Sequence, residues 1–190
     1  MAARHIPWIS PEEFLDLEAV SETKHMYYAG SVTAMAGGSV AHGTICGNLI
    51  AALHGGVRGR GCRVLTSDVL FRTGSGDMLS YPDVTVLCGP VETMPGRKHV
   101  VTNPVFVAEV CSPSTENLDR REKVREYRAT PSLRQFVLVS QDEPWVEIHT
   151  REEAGTWRVS DVTGLDAVCA FTGIACSVGM AAIYEGALEG

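Results

Sequence analysis

Apolar and polar positions alternate along this chain in two periods, and the periods change at glycine and proline. Ser10-Pro11-Glu12-Glu13 opens a short helix ending near Leu17, with serine as cap, proline in the first turn and Glu13 closing a capping box. His25 to Met35 reads as a hairpin turning at Ala29-Gly30. After Gly37-Gly38-Ser39, the four-residue recurrence of Ile45, Leu49 and Leu53 predicts a helix with one apolar stripe, stopping at Gly55-Gly56. Cys62 to Thr73 predicts one or two strands containing Asp68, then a turn at Gly74 to Asp77. Tyr81 to Cys88 is the next strand, and Gly89 to Asn103, with two prolines, reads as a surface loop.

Val105-Phe106-Val107-Ala108-Glu109-Val110 carries the most information. A run so rich in β-branched and aromatic residues predicts a buried strand, yet it contains a carboxylate. A buried, unpaired carboxylate costs several kcal/mol, so Glu109 needs a basic partner or a cation. Asp83 precedes another apolar strand, Val84-Thr85-Val86-Leu87. Two acids at strand ends point to a divalent-metal site and to hydrolysis of phosphate esters.

A charged helix follows from Asn117 to Ala129, then a strand from Gln135 to Val139; strand, helix, strand makes a βαβ unit. At 100° per residue, Arg120, Val124 and Tyr127 fall within about 60° and should face the sheet, with Lys123 about 40° from Tyr127. Arg121, Arg125 and Arg128 should point to solvent or to a partner. Asp119 and Lys123 form an i,i+4 helix pair. Trp145 to His149 and Trp157 to Val162 read as a C-terminal hairpin, and Ile174 to Leu188 as a tail with a short helix. The three tryptophans, Trp8, Trp145 and Trp157, are assigned to packing. The expected class is α/β: a mixed sheet flanked by helices, with a hairpin near each end.

At 190 residues, 45% of them hydrophobic, the chain is expected to form one domain, 1–190, with its core from about 9 to 184. No apolar stretch approaches the roughly 20 residues of a membrane helix, and the start lacks a secretory core, so the expected location is the cytoplasm, away from membranes. The six cysteines are scattered without a C-x-x-C pair, which argues against zinc and for reduced, structural thiols. A net charge of −7 argues against non-specific nucleic-acid binding. Five of the sixteen Lys and Arg residues nevertheless fall between Arg120 and Arg128, a local basic patch.

Pro82-Asp83, Glu109-Val-Cys-Ser-Pro-Ser-Thr115, Asp119-Arg-Arg-Glu-Lys123 and Tyr127 together resemble the Uma-type putative restriction endonuclease family, of the PD-(D/E)XK nuclease-like superfamily. Met35-Ala-Gly-Gly-Ser39 with His42, Ser67-Asp68 and Pro131 to Phe136 extend the resemblance over roughly residues 9–184. It implies a restriction-endonuclease-like sheet of four or five strands holding Mg²⁺ (or Mn²⁺). Asp83 and Glu109 match the family's acidic metal-binding positions. Lys123 matches its lysine, relocated from the superfamily's usual slot, here Cys111. Asp68, His42 and Tyr127 are further candidates for the site, and Arg120, Arg121 and Arg125 for phosphate contact.

The implied activity is Mg-dependent endonucleolytic hydrolysis of DNA phosphodiesters, with DNA as partner. Two-fold cutting would favour a homodimer. No protein partner can be inferred. One departure is plain. Where relatives carry a glutamate, this chain has Met26, and Ala29 and Ser31 replace two further acids. Thioether sulfur is a poor ligand for a hard cation. The alternative expectation is therefore a catalytically impaired nuclease fold, serving as an oligomeric or nucleic-acid-binding module.

Overall fold

The computed structural model describes residues 8–111 and 119–188, the side chains of residues 119 and 120 excepted. The expected Ser112–Thr115 string, the helix start at Asn117, the Asp119–Lys123 pair and the direction of Arg120 lie outside the described residues.

The first helix, α1, is Pro11–Glu18. Ser10 Oγ accepts from the Glu13 N–H, and the Glu13 carboxylate accepts from the Ser10 N–H and hydroxyl, so the capping box is reciprocal. Ser10→Ala is expected to lower stability by about 1 kcal/mol in a denaturant titration. β1 (His25–Tyr28) and β2 (Ser31–Ala34) form the expected hairpin. Its turn has Ala29 at φ +44° and Gly30 at φ +91°, the positive-φ pair of a two-residue turn that matches strand twist.

Helix α2 runs from Val40 to Val57, and Ile45, Leu49, Leu53 and Val57 are buried along one stripe. It continues through Gly55-Gly56, which stop it in the sequence reading. β3 (Cys62–Thr66) and β4 (Leu70–Arg72) follow. β5 (Met78–Ser80) was not foreseen, and β6 is Val84–Cys88 rather than a strand from Tyr81. The expected loop from Gly89 to Asn103 holds a hairpin instead: β7 (Thr93–Met94) and β8 (Arg97–Val101). Its strand is short and half polar, but β8 pairs with β4 and buries Val100 and Val101. That pairing partner, not local pattern, makes it a strand.

β9 (Phe106–Cys111), α3 (Asp119–Arg128) and β10 (Gln135–Ser140) form the βαβ unit, and β9 and β10 pair in parallel. β11 (Trp145–Arg151) and β12 (Trp157–Thr163) make the expected hairpin. It is not the last one. β13 (Val168–Phe171) and β14 (Cys176–Gly179) form another before the short helix α4 (Met180–Ile183).

Two six-stranded mixed sheets result, in the orders β2-β1-β5-β4-β8-β7 and β12-β11-β10-β9-β6-β3. Each exceeds the four or five strands implied by the resemblance. The second sheet is covered on both faces. Phe106, Ala108 and Val110 of β9 pack with the α2 stripe, the β13–β14 hairpin and α4. Val107, on the opposite face, packs with Phe71, Tyr127 and Phe136. Burial on both faces explains why β9 reads as a nearly continuous apolar run. A third cluster, including Phe14, Tyr27, Leu79 and Val100, joins α1 to the first sheet.

Two of the six cysteines, expected as reduced thiols, are oxidised. Cys62 and Cys88 are opposite partners on antiparallel β3 and β6 and form a disulfide, although 26 residues apart in sequence. Cys46, Cys169 and Cys176 are free thiols. Among the tryptophans, Trp157 packs on Phe136, whereas Trp8 is 73% exposed over the Gly30 turn. No helix among the described residues is long and apolar enough to cross a membrane.

Candidate active site

The site grows from the pairing of β6 with β9. Val84 lies opposite Ala108 in the last pair of this ladder, and Asp83, one residue before β6, comes to the end of β9 that carries Glu109. Asp83 Oδ2 accepts from the Val110 N–H at 2.8 Å, which ties it to the neighbouring strand. Its other oxygen accepts no hydrogen bond among the described residues.

Glu109 is 6% exposed and points to the side of the sheet where α3 packs. Lys123 Nζ lies 3.1 Å from Glu109 Oε2, and the Tyr127 hydroxyl donates to Oε1. Lys123 and Tyr127 are four residues apart, one helical turn, so both reach the same carboxylate. Burial pushes the Glu109 carboxyl above its usual range, against the pull of Lys123 and Tyr127. Burial also works against the charge on Lys123, but the Glu109 and Asp83 carboxylates outweigh it and hold the amine above its ordinary value. Burial and the Glu109 charge hold Tyr127 well above the usual phenol range, so it remains a donor.

His42 enters from the first turn of α2. Its Nε2 is 3.2 Å from Asp83 Oδ2, and its Nδ1 is 3.6 Å from the Cys46 thiol. The hydrogen bond that the ring N–H donates to Asp83, helped by Cys46, raises the imidazole to about 10 despite its partial burial. A cleft of about 480 Å³ opens here, lined by Lys24, Met35, Gly38, His42, Cys46, Thr66 and Asp83 among others. Asp83 forms part of its wall. Glu109 and Lys123 are not among its lining residues; Lys123 remains 20% exposed.

The structure thus brings Asp83, Glu109, Lys123, Tyr127 and His42 together. It does not bring Asp68 to them. That residue lies in the turn between β3 and β4, bonded to Lys24 at 2.6 Å and to Thr66, with its side chain 75% exposed. Arg121 is exposed. Arg125 is occupied at its own surface, where it contacts Glu126 and donates to the Tyr28 hydroxyl. Arg128, expected to point outward, turns instead to His149 at 3.0 Å. Met26 sits half-buried on β1 and alternates with Tyr27, so it shares its face with Tyr28, whose hydroxyl reaches α3. Cys46 was missed as a neighbour of the site. Its i,i+4 spacing from His42 was legible in the sequence, but Asp83, which gives the pair its setting, comes from a distant strand.

Two proteins of Synechocystis sp., both described as uncharacterized, resemble this chain. One is 32% identical over 95% of this chain and 93% of its own length; the other is 26% identical over 86% and 93%. Among solved structures, a putative nuclease belonging to DUF820 from Anabaena variabilis superposes with a TM-score of 0.76, covering 93% of this chain and 97% of that one at 16% identity. The shared fold is the restriction-endonuclease-like mixed α/β arrangement. Residues 11–178 match the family described as "Uma2: Putative restriction endonuclease". With nearly the whole chain matched, and Asp83, Glu109 and Lys123 gathered at one sheet end, the protein belongs to the Uma2 family.

Proposed function

We propose that this protein is a metal-dependent nuclease that hydrolyses DNA phosphodiester bonds, with Asp83 and Glu109 as ligands of Mg²⁺ or Mn²⁺. The observation that carries the reading is one juxtaposition. Asp83, one residue before β6, accepts from the N–H of Val110, the neighbour of Glu109 on β9, and an amine lies 3.1 Å from Glu109. Carboxylate oxygens suit a hard cation, each can accept a hydrogen bond and still donate a lone pair, and one Asp83 oxygen accepts no hydrogen bond among the described residues. A bound cation would polarise the phosphodiester and lower the pKa of an attacking water.

The chain's own residues do the rest. Asp83 meets ligand from the cleft. Tyr127 fixes the rotamer of Glu109. Lys123 supplies positive charge where negative charge grows on the phosphate oxygens. The exposed Arg121 offers sequence-independent contact to the DNA backbone.

The test is a calorimetric titration of the protein with Mg²⁺ and with Mn²⁺, beside an assay of supercoiled plasmid. Wild type should take up the ion and nick DNA, and a chelator should stop the nicking. Asp83→Ala and Glu109→Ala should lose both. No uptake and no nicking by wild type would overturn the reading. That outcome would favour a catalytically impaired, binding-only member of the fold, which Met26 already supports. Met26→Glu adds a hard ligand on the face of β1 that looks towards α3, and is expected to tighten Mn²⁺ binding in the same titration.

A further inference from the structure

The cysteines lack the paired spacing along the chain that marks most zinc sites. The folded chain assembles a different donor set. His42 and Cys46 lie one turn apart on α2, and Asp83 faces them from the start of β6. One ligand atom from each of the three lies within 4.8 Å of the others. We propose that His42, Cys46 and Asp83 form a binding site for a zinc-class divalent cation, and that its occupancy withdraws Asp83 from the Mg²⁺ site.

Geometry and donor chemistry both support this. Zn–N and Zn–S bonds of about 2.0 and 2.3 Å at a tetrahedral angle place nitrogen and sulfur about 3.5 Å apart. His42 Nδ1 and Cys46 Sγ are 3.6 Å apart, while Asp83 stands 3.2 Å from Nε2 on the other side of the ring, so the carboxylate or the imidazole turns as the ion takes all three ligands. Imidazole, thiolate and carboxylate together select a borderline cation over a hard one. The three residues line the 480 Å³ cleft, so an ion has a route in and water can fill the fourth position. Three protein ligands plus an open position is a recognised zinc arrangement. As the ion enters, the imidazolium proton of His42 and the thiol proton of Cys46 pass to solvent, leaving a neutral ring and a thiolate as ligands.

The site differs from the Asp83–Glu109 pair in its ligands and in the ion it prefers. Asp83 belongs to both, so the two ions compete for it. Zinc would then hold the protein in a state unable to take Mg²⁺. Only this last consequence rests on the proposed nuclease activity.

Cobalt(II) reports the site directly, because a cobalt–thiolate bond gives an intense near-ultraviolet charge-transfer band. Metal-free wild type titrated with Co²⁺ should develop that band to one equivalent, and Zn²⁺ should abolish it by displacement. Cys46→Ser should lose the band and bind Zn²⁺ at least roughly tenfold more weakly, since even residues supporting a ligand are worth that much. Asp83→Asn should weaken binding while keeping the band. Cys111→Ser and Glu109→Gln should leave the band intact, and circular dichroism checks that each variant is folded. Absence of the band in wild type, or its persistence in Cys46→Ser, overturns the site.

Where wild type nicks DNA, Zn²⁺ should inhibit it, and Cys46→Ser should cleave normally yet resist inhibition by tenfold or more. Equal inhibition of both proteins would overturn the competition. A cobalt band without any cleavage would leave the site standing and remove the nuclease reading instead.

Discussion

Lys123→Ala should lower the folding stability by about 3 kcal/mol and abolish metal-dependent DNA nicking. The first effect follows from burial. Glu109 is 6% exposed, and its Oε2 has Lys123 Nζ at 3.1 Å. Removing one partner of such a pair leaves a buried charge without compensation, which costs about 3–5 kcal/mol. The lower end applies because Lys123 is still 20% exposed and because Glu109, with its raised pKa, can take up a proton.

The double variant Lys123→Met with Glu109→Gln tests the cause. It removes both charges, keeps similar volume and preserves an acceptor for the Tyr127 hydroxyl. Its stability should return to within about 1 kcal/mol of wild type, since neutral replacement of a buried pair is often harmless. Its nicking activity should stay absent. Urea denaturation midpoints at constant slope would measure the stabilities. A loss below about 0.5 kcal/mol in Lys123→Ala would mean the pair is not held as described. Recovery of stability without recovery of cleavage would separate what the pair does for the fold from what it does for chemistry.

His42 should remain protonated far above the ordinary histidine range. Asp83 Oδ2, 3.2 Å from Nε2, and then Cys46 raise it from 6.5 to about 10. A base whose folded pKa exceeds its unfolded value stabilises the fold fully below the unfolded value. That contribution is lost as pH climbs from 6.5 through about 10, with a slope of at most about 1.4 kcal/mol per pH unit. A proton–carbon NMR titration of the His42 ring in metal-free protein should show no transition near neutrality. Asp83→Asn should bring the transition back towards 6.5, and denaturation from pH 7 to 9 should show the wild type losing more stability than that variant. A wild-type ring titrating near 6.5 would mean the contact with Asp83 does not form in solution.

The candidate site was unevenly legible before folding. Glu109 was readable because a carboxylate inside an apolar run needs an explanation. Lys123 and Tyr127 were readable because a helix places i and i+4 on one face. Asp68 resembled them in sequence, next to an apolar strand, but the turn between β3 and β4 projects it into solvent against Lys24. Arg128 read as part of a basic outer face, yet lies against His149. Sequence spacing fixes which helix face a residue occupies. It does not say which strand that face will meet.

The amino-acid sequence by itself determined the capped first helix, the apolar stripe of α2, the Ala29-Gly30 hairpin and the β9–α3–β10 unit. Each depends on contacts within a few residues, on helical or strand periodicity, or on one obligatory crossover. Only the tertiary structure decided the strand status of Thr93–Met94 and Arg97–Val101, the Cys62–Cys88 bond, the placing of Asp83 at the end of β9 that carries Glu109, and the meeting of Asp83 with His42 and Cys46. Those depend on register between segments distant along the chain. Strand pairing selects that register through the burial of whole faces, and no local pattern encodes which distant residue will stand across the ladder.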